Sequence, residues 1–402
     1  MKSKLIVIAS LATVCAGLLT NRVAAAIPLG ENSHIQIGGF ISQGYIKSDS
    51  NNYPFEDKDG TFDFREMAFN ASGTIGAHLR IGGQLFAQRL GNYGDDKVKL
   101  DWANADYNFR QEFGVRVGRI KYPKGLYGEA LDLDVIRPFI FLPMSVYNPI
   151  FRDFSASFDG GMGYGTLTLG KQGGSLDYKL FYGDIQMNKD QGVADFFTNS
   201  HLYAGTGVQT LTMDSVVGGS LDWSTPVSGL KVHFSLSHLK NINGAGQFAA
   251  APVLPVSILV KGIDYTSAGV EYAHNNWTFA AEYFKQDGDT LVQALPVLNS
   301  AGKYGTNSWY VSAARRLNDK WEVGGYYAYS SNRYPAAGAV KDAKQIGDWA
   351  LSLRYDVNEH ITVKAEGHWI SGYYNILNTA KNPNPVLDDS TTFFAVKTTL
   401  SF

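Results

Sequence analysis

Cysteine is almost missing from this chain. The single thiol, Cys15, falls within the first 26 of 402 residues, so the remainder has no disulfide framework of the kind that staples small exported domains. Also missing, after residue 26, is any long hydrophobic run. A membrane-spanning helix needs about 20 consecutive apolar residues, which excludes a polytopic helical transporter. Charge of one sign is lacking too: 35 basic and 37 acidic residues leave a net −2. There is no basic stripe to follow a phosphate backbone, so nucleic acid is not an expected partner. Aromatic residues, by contrast, make up 13% of the chain, far too many for an intrinsically disordered protein. The sequence encodes a folded chain.

The first 26 residues read as a cleavable export label. Lys2 and Lys4 supply a positive start, Leu5 to Leu19 an apolar stretch, and Ala24-Ala25-Ala26 the small residues before a cut at Ile27. Thr13-Val14 before Cys15 is too bulky for a lipid-attachment site, and Cys15 sits in mid-stretch. The mature chain is then residues 27–402, read as one domain. Losing Lys2, Lys4 and Arg22 takes its formal charge from −2 to −5.

From Ser33 onward the dominant pattern is alternation with period two in segments of about ten residues, with almost no helical periodicity. The spacing predicts sixteen strands near 34–46, 61–75, 79–89, 98–109, 113–121, 161–170, 176–187, 213–225, 230–239, 263–273, 277–286, 307–317, 320–330, 347–357, 360–370 and 390–402. Connections alternate between tight ones, such as Gly76-Ala77-His78, His274-Asn275-Asn276 and Asn358-Glu359, and longer ones. An even strand count with alternately short and long connections is the rhythm of an outer-membrane β-barrel, and a soluble sandwich predicts no such asymmetry. Trp349, Leu351, Leu353, Tyr355 and Val357 are expected to face lipid, with Ser352, Arg354 and Asp356 inside. In the next strand Thr362, Lys364, Glu366 and His368 fall on the inner face. Trp277, Trp321, Trp349, Trp369, Tyr283 and Tyr329 collect at strand ends, as interfacial girdles do. In 98–109 the apolar parity switches from Val98, Leu100 and Trp102 to Ala103, Ala105, Tyr107 and Phe109, which predicts a bulge or a shifted register. The fold class is therefore all-β, a sixteen-stranded antiparallel transmembrane barrel.

A barrel of sixteen strands is wide enough to leave an aqueous channel, so something must narrow it. The longest connection, 122–160 between the fifth and sixth strands, is too apolar for a freely solvated loop; it carries Val135, Ile136, Phe139, Ile140, Phe141 and Leu142 in quick succession. Loops longer than about 15 residues inside a domain are usually functional. This one is expected to fold into the lumen and form the constriction. The stretch from Asn241 to Gly262 is also apolar for an external loop; it either folds over the mouth or packs against a neighbouring subunit.

With these features the mature chain, from Ile35 to Phe402, resembles the general bacterial outer-membrane porins, the trimeric sixteen-stranded family whose third loop bends into the pore between strands five and six. The resemblance is architectural; the Pro-Glu-Phe-Gly-type loop signature of the enterobacterial members is absent. It implies a homotrimer in the bacterial outer membrane, in contact with lipid and lipopolysaccharide, that passes small hydrophilic solutes. It also implies that Phe394, Val396, Leu400 and Phe402 form the terminal signal read by the outer-membrane assembly machinery. In such porins acids on the loop oppose basic residues on the wall. The matching candidates are Glu129, Asp132, Asp134 and Asp153 against Arg80, Lys99, Arg116 and Arg119. Opposed charges at close quarters filter ions; equally, Arg137 and Arg152 can pair with Asp134 and Asp153 and merely pin the loop.

Other constellations are weaker. Asp132-x-Asp134 lacks the Gly and the Glu of a calcium loop, and the eight histidines show no zinc spacing. No Gly-x-Ser-x-Gly turn or His-Glu-x-x-His helix is present. No cofactor or metal is expected and the chain is not read as an enzyme. Three functions are carried forward: a passive diffusion porin; a substrate-selective porin with a track for a sugar, phosphate or carboxylate; and, from another class, a barrel enzyme with its site at the rim.

Overall fold

The computed structural model describes residues 27–28, 35–55, 57–187, 189, 192–199, 206–248, 254–294, 298–335, 337–376 and 387–402. The export label at 1–26 lies outside them. Sixteen strands run antiparallel around a closed barrel. They are β1 (Ile35–Ser48), β2 (Phe64–Ile75), β3 (Leu79–Leu90), β4 (Lys99–Arg110), β5 (Phe113–Lys121), β6 (Ser157–Thr168), β7 (Ser175–Asp184) and β8 (Val216–Ser224). The second half comprises β9 (Leu230–Phe248), β10 (Pro255–His274), β11 (Trp277–Ala294), β12 (Leu298–Arg316), β13 (Trp321–Asn332), β14 (Gln345–Asp356), β15 (Ile361–Ser371) and β16 (Ser390–Ser401). Two further segments join the same sheet without adding staves. Ile27–Pro28 pairs with Gln36 and Ile37, and Thr206–Met213 pairs with the far end of β9 beyond the reach of β8.

Closure is made by β16 against β1, from Phe393↔Ser48 to Ser401↔Phe40. Gly39 and Phe402 extend it by exchanging backbone hydrogen bonds of 3.0 and 3.1 Å. A side chain at Gly39 would strike the Ala68 carbonyl and the Phe402 ring, so glycine is required where the terminal aromatic seats. Backbone polar groups cannot face hydrocarbon unpaired, and a closed ladder leaves no edge.

The alternation decides which side chains point where. Along β16 every second residue is exposed, including Phe394, Val396 and Leu400, while Lys397, Thr399 and Ser401 are buried inside. On β14, Trp349, Leu351 and Leu353 are exposed and Ser352, Arg354 and Asp356 buried, as the sequence predicts. Trp277 and Trp321 stand exposed beside the tight turns, Trp349 and Trp369 near the opposite rim, giving two aromatic belts. The parity switch in β4 is a bulge at Asp101: Gln84 pairs with Trp102 and Leu85 with Leu100, so Asp101 is the extra residue. The bulge turns its carboxylate inward.

One expectation is corrected. The stretch from Asn241 to Gly262 is not a loop over the mouth. Asn241 to Gln247 pair in register with Lys261 to Pro255, extending β9 and β10 into a long hairpin. The physical reason is alternation that Ala and Pro residues obscure: Ile242, Val256, Ile258 and Val260 face inward and are buried, with exposed polar residues such as Ser257 and Lys261 between them. Only the tip, 249–253, lies outside the described residues. The strand β6 also begins at Ser157, so the connection from β5 ends four residues earlier than read from sequence.

Candidate functional site: the inward loop and the charged lumen wall

The connection 122–156 folds into the barrel, built from three short 3-10 turns and a single helical turn, Arg152–Ser155. Its apolar residues drive the entry. Leu126, Phe139, Ile140, Phe141, Leu142 and Ile150 are all buried, each burial contributing on the order of 1.5–3 kcal/mol. Phe141 stacks on Phe64 of β2 with centroids 5.4 Å apart, and Phe139 meets Tyr326 of β13 edge-on at 5.1 Å. The loop thus leaves one wall and lies against the opposite one.

Polar contacts fix its path. The Glu366 carboxylate on β15 accepts hydrogen bonds from the backbone N–H groups of Ile140 (2.7 Å) and Phe141 (3.2 Å). Ser352 donates to the Pro138 carbonyl at 2.8 Å, and Arg354 to the Arg137 carbonyl at 3.2 Å. Near its start, Gly125 adopts φ 75° where the loop grazes β11. A Cβ there would collide with the Glu282 carboxylate and the Tyr147 hydroxyl. Glu282 itself accepts from Ser267, Tyr147, Tyr310 and the Leu126 N–H.

The candidate charges fall into separate groups. Asp132 joins Lys121, Arg152, Gln84 and the bulged Asp101: Arg152 lies 2.6 Å from both aspartates, and Lys121 contacts both as well. Burial alone would raise the Asp132 carboxyl, but the Arg152 and Lys121 cations outweigh it and hold it well below the usual carboxylate range. Asp134 sits on the far wall with Lys364 at 3.1 Å, Lys397 and Arg137 at 3.5 Å, and a hydrogen bond from Thr399 of 2.7 Å. There too burial pushes up while Lys364, Lys397 and Arg137 prevail, leaving the carboxyl far below its ordinary value. Asp132 and Asp134 therefore belong to different clusters. No metal-binding group of three ligands exists among the described residues. Glu129 pairs with Lys179 of β7, which also lies 3.8 Å from Asp222. Asp153 is in the Arg152–Ser155 turn.

The wall cations meet wall acids. Arg116 pairs with Asp106 at 2.7 Å and Arg119 with Asp159 at 3.0 Å, while Arg80 donates to Ser72 at 3.2 Å. Lys99 lies exposed at the long-loop end of β4. The structure thus brings Asp132 and Asp134 to cations other than those expected, and it leaves Arg80, Arg116 and Arg119 half-buried on the wall, Arg80 and Arg116 nearer the tight turns and Arg119 nearer the loop.

Several residues of this site escape sequence reasoning. Asp101 was signalled only by the broken parity of its strand. Lys364 and Glu366 were legible as inward-facing, but nothing in the spacing told which loop atoms they would meet. Lys121 and Glu282 carried no signal.

No family model matches the chain, and a search of curated proteins returns no relative. Solved structures similar to it span nearly its whole length. They include an anion-selective porin from Comamonas acidovorans (12% identity, TM-score 0.54, covering 92% of this chain and 99% of that one). OmpT of Vibrio cholerae in its trimer form is another (12%, TM-score 0.56, 92% and 99%). A third is OmpF of Salmonella typhi in complex with daunomycin (14%, TM-score 0.56, 92% and 97%). At such identities the likeness is one of fold. The architecture is that of the sixteen-stranded bacterial outer-membrane porins, with the loop between strands five and six turned inward.

Proposed function

We propose that the chain is an outer-membrane channel through which small hydrophilic solutes and ions diffuse passively. A single observation carries this reading: a closed sixteen-stranded barrel with an apolar outer belt encloses a charged inner wall, and a long loop crosses the space between. A barrel exposed to lipid on its outside and lined by Arg, Lys, Asp and Glu on its inside is arranged to hold water. The loop sets the size limit. The half-buried band formed by Arg80, Arg116, Arg119 and Lys179 with Asp106, Asp159 and Asp222, joined by Glu129 from the loop, supplies the charge filter. Asp132 and Asp134 act in this reading as loop anchors and Lys99 as a rim charge. Phe394, Val396, Leu400 and Phe402 form the outward and terminal face offered to the assembly machinery, and the barrel assembles as a homotrimer after export through a cleaved leader.

The test is to refold residues 27–402, insert the protein into a planar bilayer, and record conductance with the reversal potential in a salt gradient. The reading predicts an open conductance in steps of three, with current linear in solute concentration. A silent membrane at protein densities where porins conduct sinks it. A second reading, a substrate-selective channel, is favoured by one specific feature, a cavity at the long-loop end with a single cation among the described residues of its lining.

A further inference from the structure

Above the loop, on the side of the long connections, the structure holds a cavity of about 120 Å³ that opens to solvent. One side is apolar and aromatic, formed by Phe151 and Phe154 of the loop, Ile263 and Tyr265 of β10 and Phe284 of β11. The other is polar but neutral, with Gln286, Thr290, Thr306, Ser308 and Ser330. Among the described residues that line it, Lys124 alone is charged.

Lys124 differs from the other lysines of the lumen. Lys121, Lys179, Lys364 and Lys397 each make ion-pair contact with a carboxylate. The Lys124 ammonium makes no ion pair and no side-chain hydrogen bond among the described residues. It lies instead over aromatic rings, 4.5 Å from the centroid of Tyr265, 4.6 Å from Phe284 and 5.9 Å from Phe154. The carboxylate that acts on it, Glu282, already accepts four hydrogen bonds from its own neighbours. Ring faces attract a cation but accept none of its hydrogen bonds in full, and an ammonium has three N–H donors to satisfy. A charge half-buried among rings without an anion is costly. The arrangement is one anion short.

We propose that this cavity is a binding subsite for an amphipathic organic monoanion, an aryl- or alkyl-carboxylate whose acid group pairs with Lys124 and whose apolar body lies against the aromatic wall. The proposal rests on the channel reading above and gives it a substrate class: solutes of this kind are captured before they meet the loop. A dianion finds no second cation, a sugar wastes the apolar wall, and a cation meets Lys124 itself. Burial pushes the Lys124 ammonium down to about 8, partly offset by Glu282, so the group is mostly charged at neutral pH.

The experiment titrates 3-phenylpropionate into the refolded full-length mature protein in detergent by calorimetry, with bilayer conductance recorded in parallel. Saturable binding is expected, with propionate, 3-phenylpropanol and 3-phenylpropylamine each weaker by about tenfold or more, the scale of a charge-assisted hydrogen bond or an apolar ring. Lys124→Met loses binding by about the same factor and Lys124→Arg restores most of it. Thr290→Trp, which fills the cavity and leaves the cation in place, also loses binding, and carries the test should Lys124→Met fail to fold. Equal affinity of wild type and both Lys124→Met and Thr290→Trp, or of phenylpropionate and its amine, overturns the proposal. Binding in detergent without conductance would leave the subsite standing and remove the channel reading; conductance without binding or current block would do the reverse.

Discussion

Two regions of the inner wall are built from the same residue types and are wet to different degrees. Where the loop docks, Lys364 and its partner Asp134 have side chains 1% and 2% exposed. Across the barrel, Arg116 and Asp106 are 13% and 11% exposed, and Arg119 and Asp159 reach 19% and 29%. The docked charges are surrounded by protein and by the apolar loop; those of the band keep solvent on one side. Desolvation decides what each can do. A dry ion pair is strong only while complete, because removing one partner strands the other in a poor solvent. A partly wet pair is worth less to stability but retains an outward field. Sign and spacing of charge along a strand therefore do not reveal whether a residue anchors or filters. Its depth under the loop does.

The contrast breaks most severely at Asp134. Asp134→Asn leaves Lys364, Lys397 and Arg137 gathered around a neutral amide, at a cost of about 3–5 kcal/mol. Loop docking is expected to fail before the barrel does. Single-channel recording should show a larger and noisier conductance, and limited trypsin digestion a new cut within the loop, at Lys124 or Arg152. A variant with wild-type current and digestion pattern would show that the loop is not held there. Glu366→Gln is the milder form of the same break. One amide oxygen replaces the two carboxylate oxygens that receive Ile140 and Phe141, a loss of about 1.5–3 kcal/mol. It should raise channel noise more than mean conductance.

How far the sequence foresaw this follows the same division between local and distant effects. Period-two alternation is a property of each strand alone, so the sixteen strands, their faces and the tight turns were legible, down to the bulge in β4. Strand length was not. Ile242 to Phe248 and Pro255 to Val260 were hidden as a loop because Ala and Pro mask alternation, and because their partners lie on the other arm of the hairpin. At the site, the apolar sequence around Phe139 to Leu142 foretold entry into the lumen. It did not foretell that Asp134 would meet Lys364 and Lys397, which lie more than two hundred residues along the chain. Such pairings arise only once the barrel closes.

The partly wet band gives the complementary result. Arg116→Gln removes one member of a pair that keeps a little solvent contact and leaves the Tyr164 hydroxyl donating to Asp106, so stability should fall by about 1–3 kcal/mol, less than at Asp134. Selectivity should change visibly: with Asp106 uncompensated, the reversal potential in a salt gradient shifts toward cation preference while loop digestion stays as in wild type. An unshifted potential would remove Arg116 from the filter. A fall in stability as large as that of Asp134→Asn would place this pair with the dry anchors instead.

The smallest effect is expected from acid, and its smallness is the sharpest measure of how dry the anchors are. Unperturbed aspartate titrates near about 3.9. Asp132 and Asp134 are held well below that, against the upward push of burial, by Arg152 and Lys121 in one case and by Lys364, Lys397 and Arg137 in the other. A carboxyl whose folded value is depressed contributes stability that is present above the unfolded value and is lost only as pH falls through the folded one. Taking the inserted channel from about pH 6 to pH 3.5 should therefore leave channel noise from the Asp134 end of the loop unchanged, because Asp134 stays ionised while ordinary carboxylates protonate. Channel noise that rises midway through that window would mean that Asp134 has a near-normal affinity for protons. The loop would then be held by its buried phenylalanines and the Glu366 contacts rather than by charge.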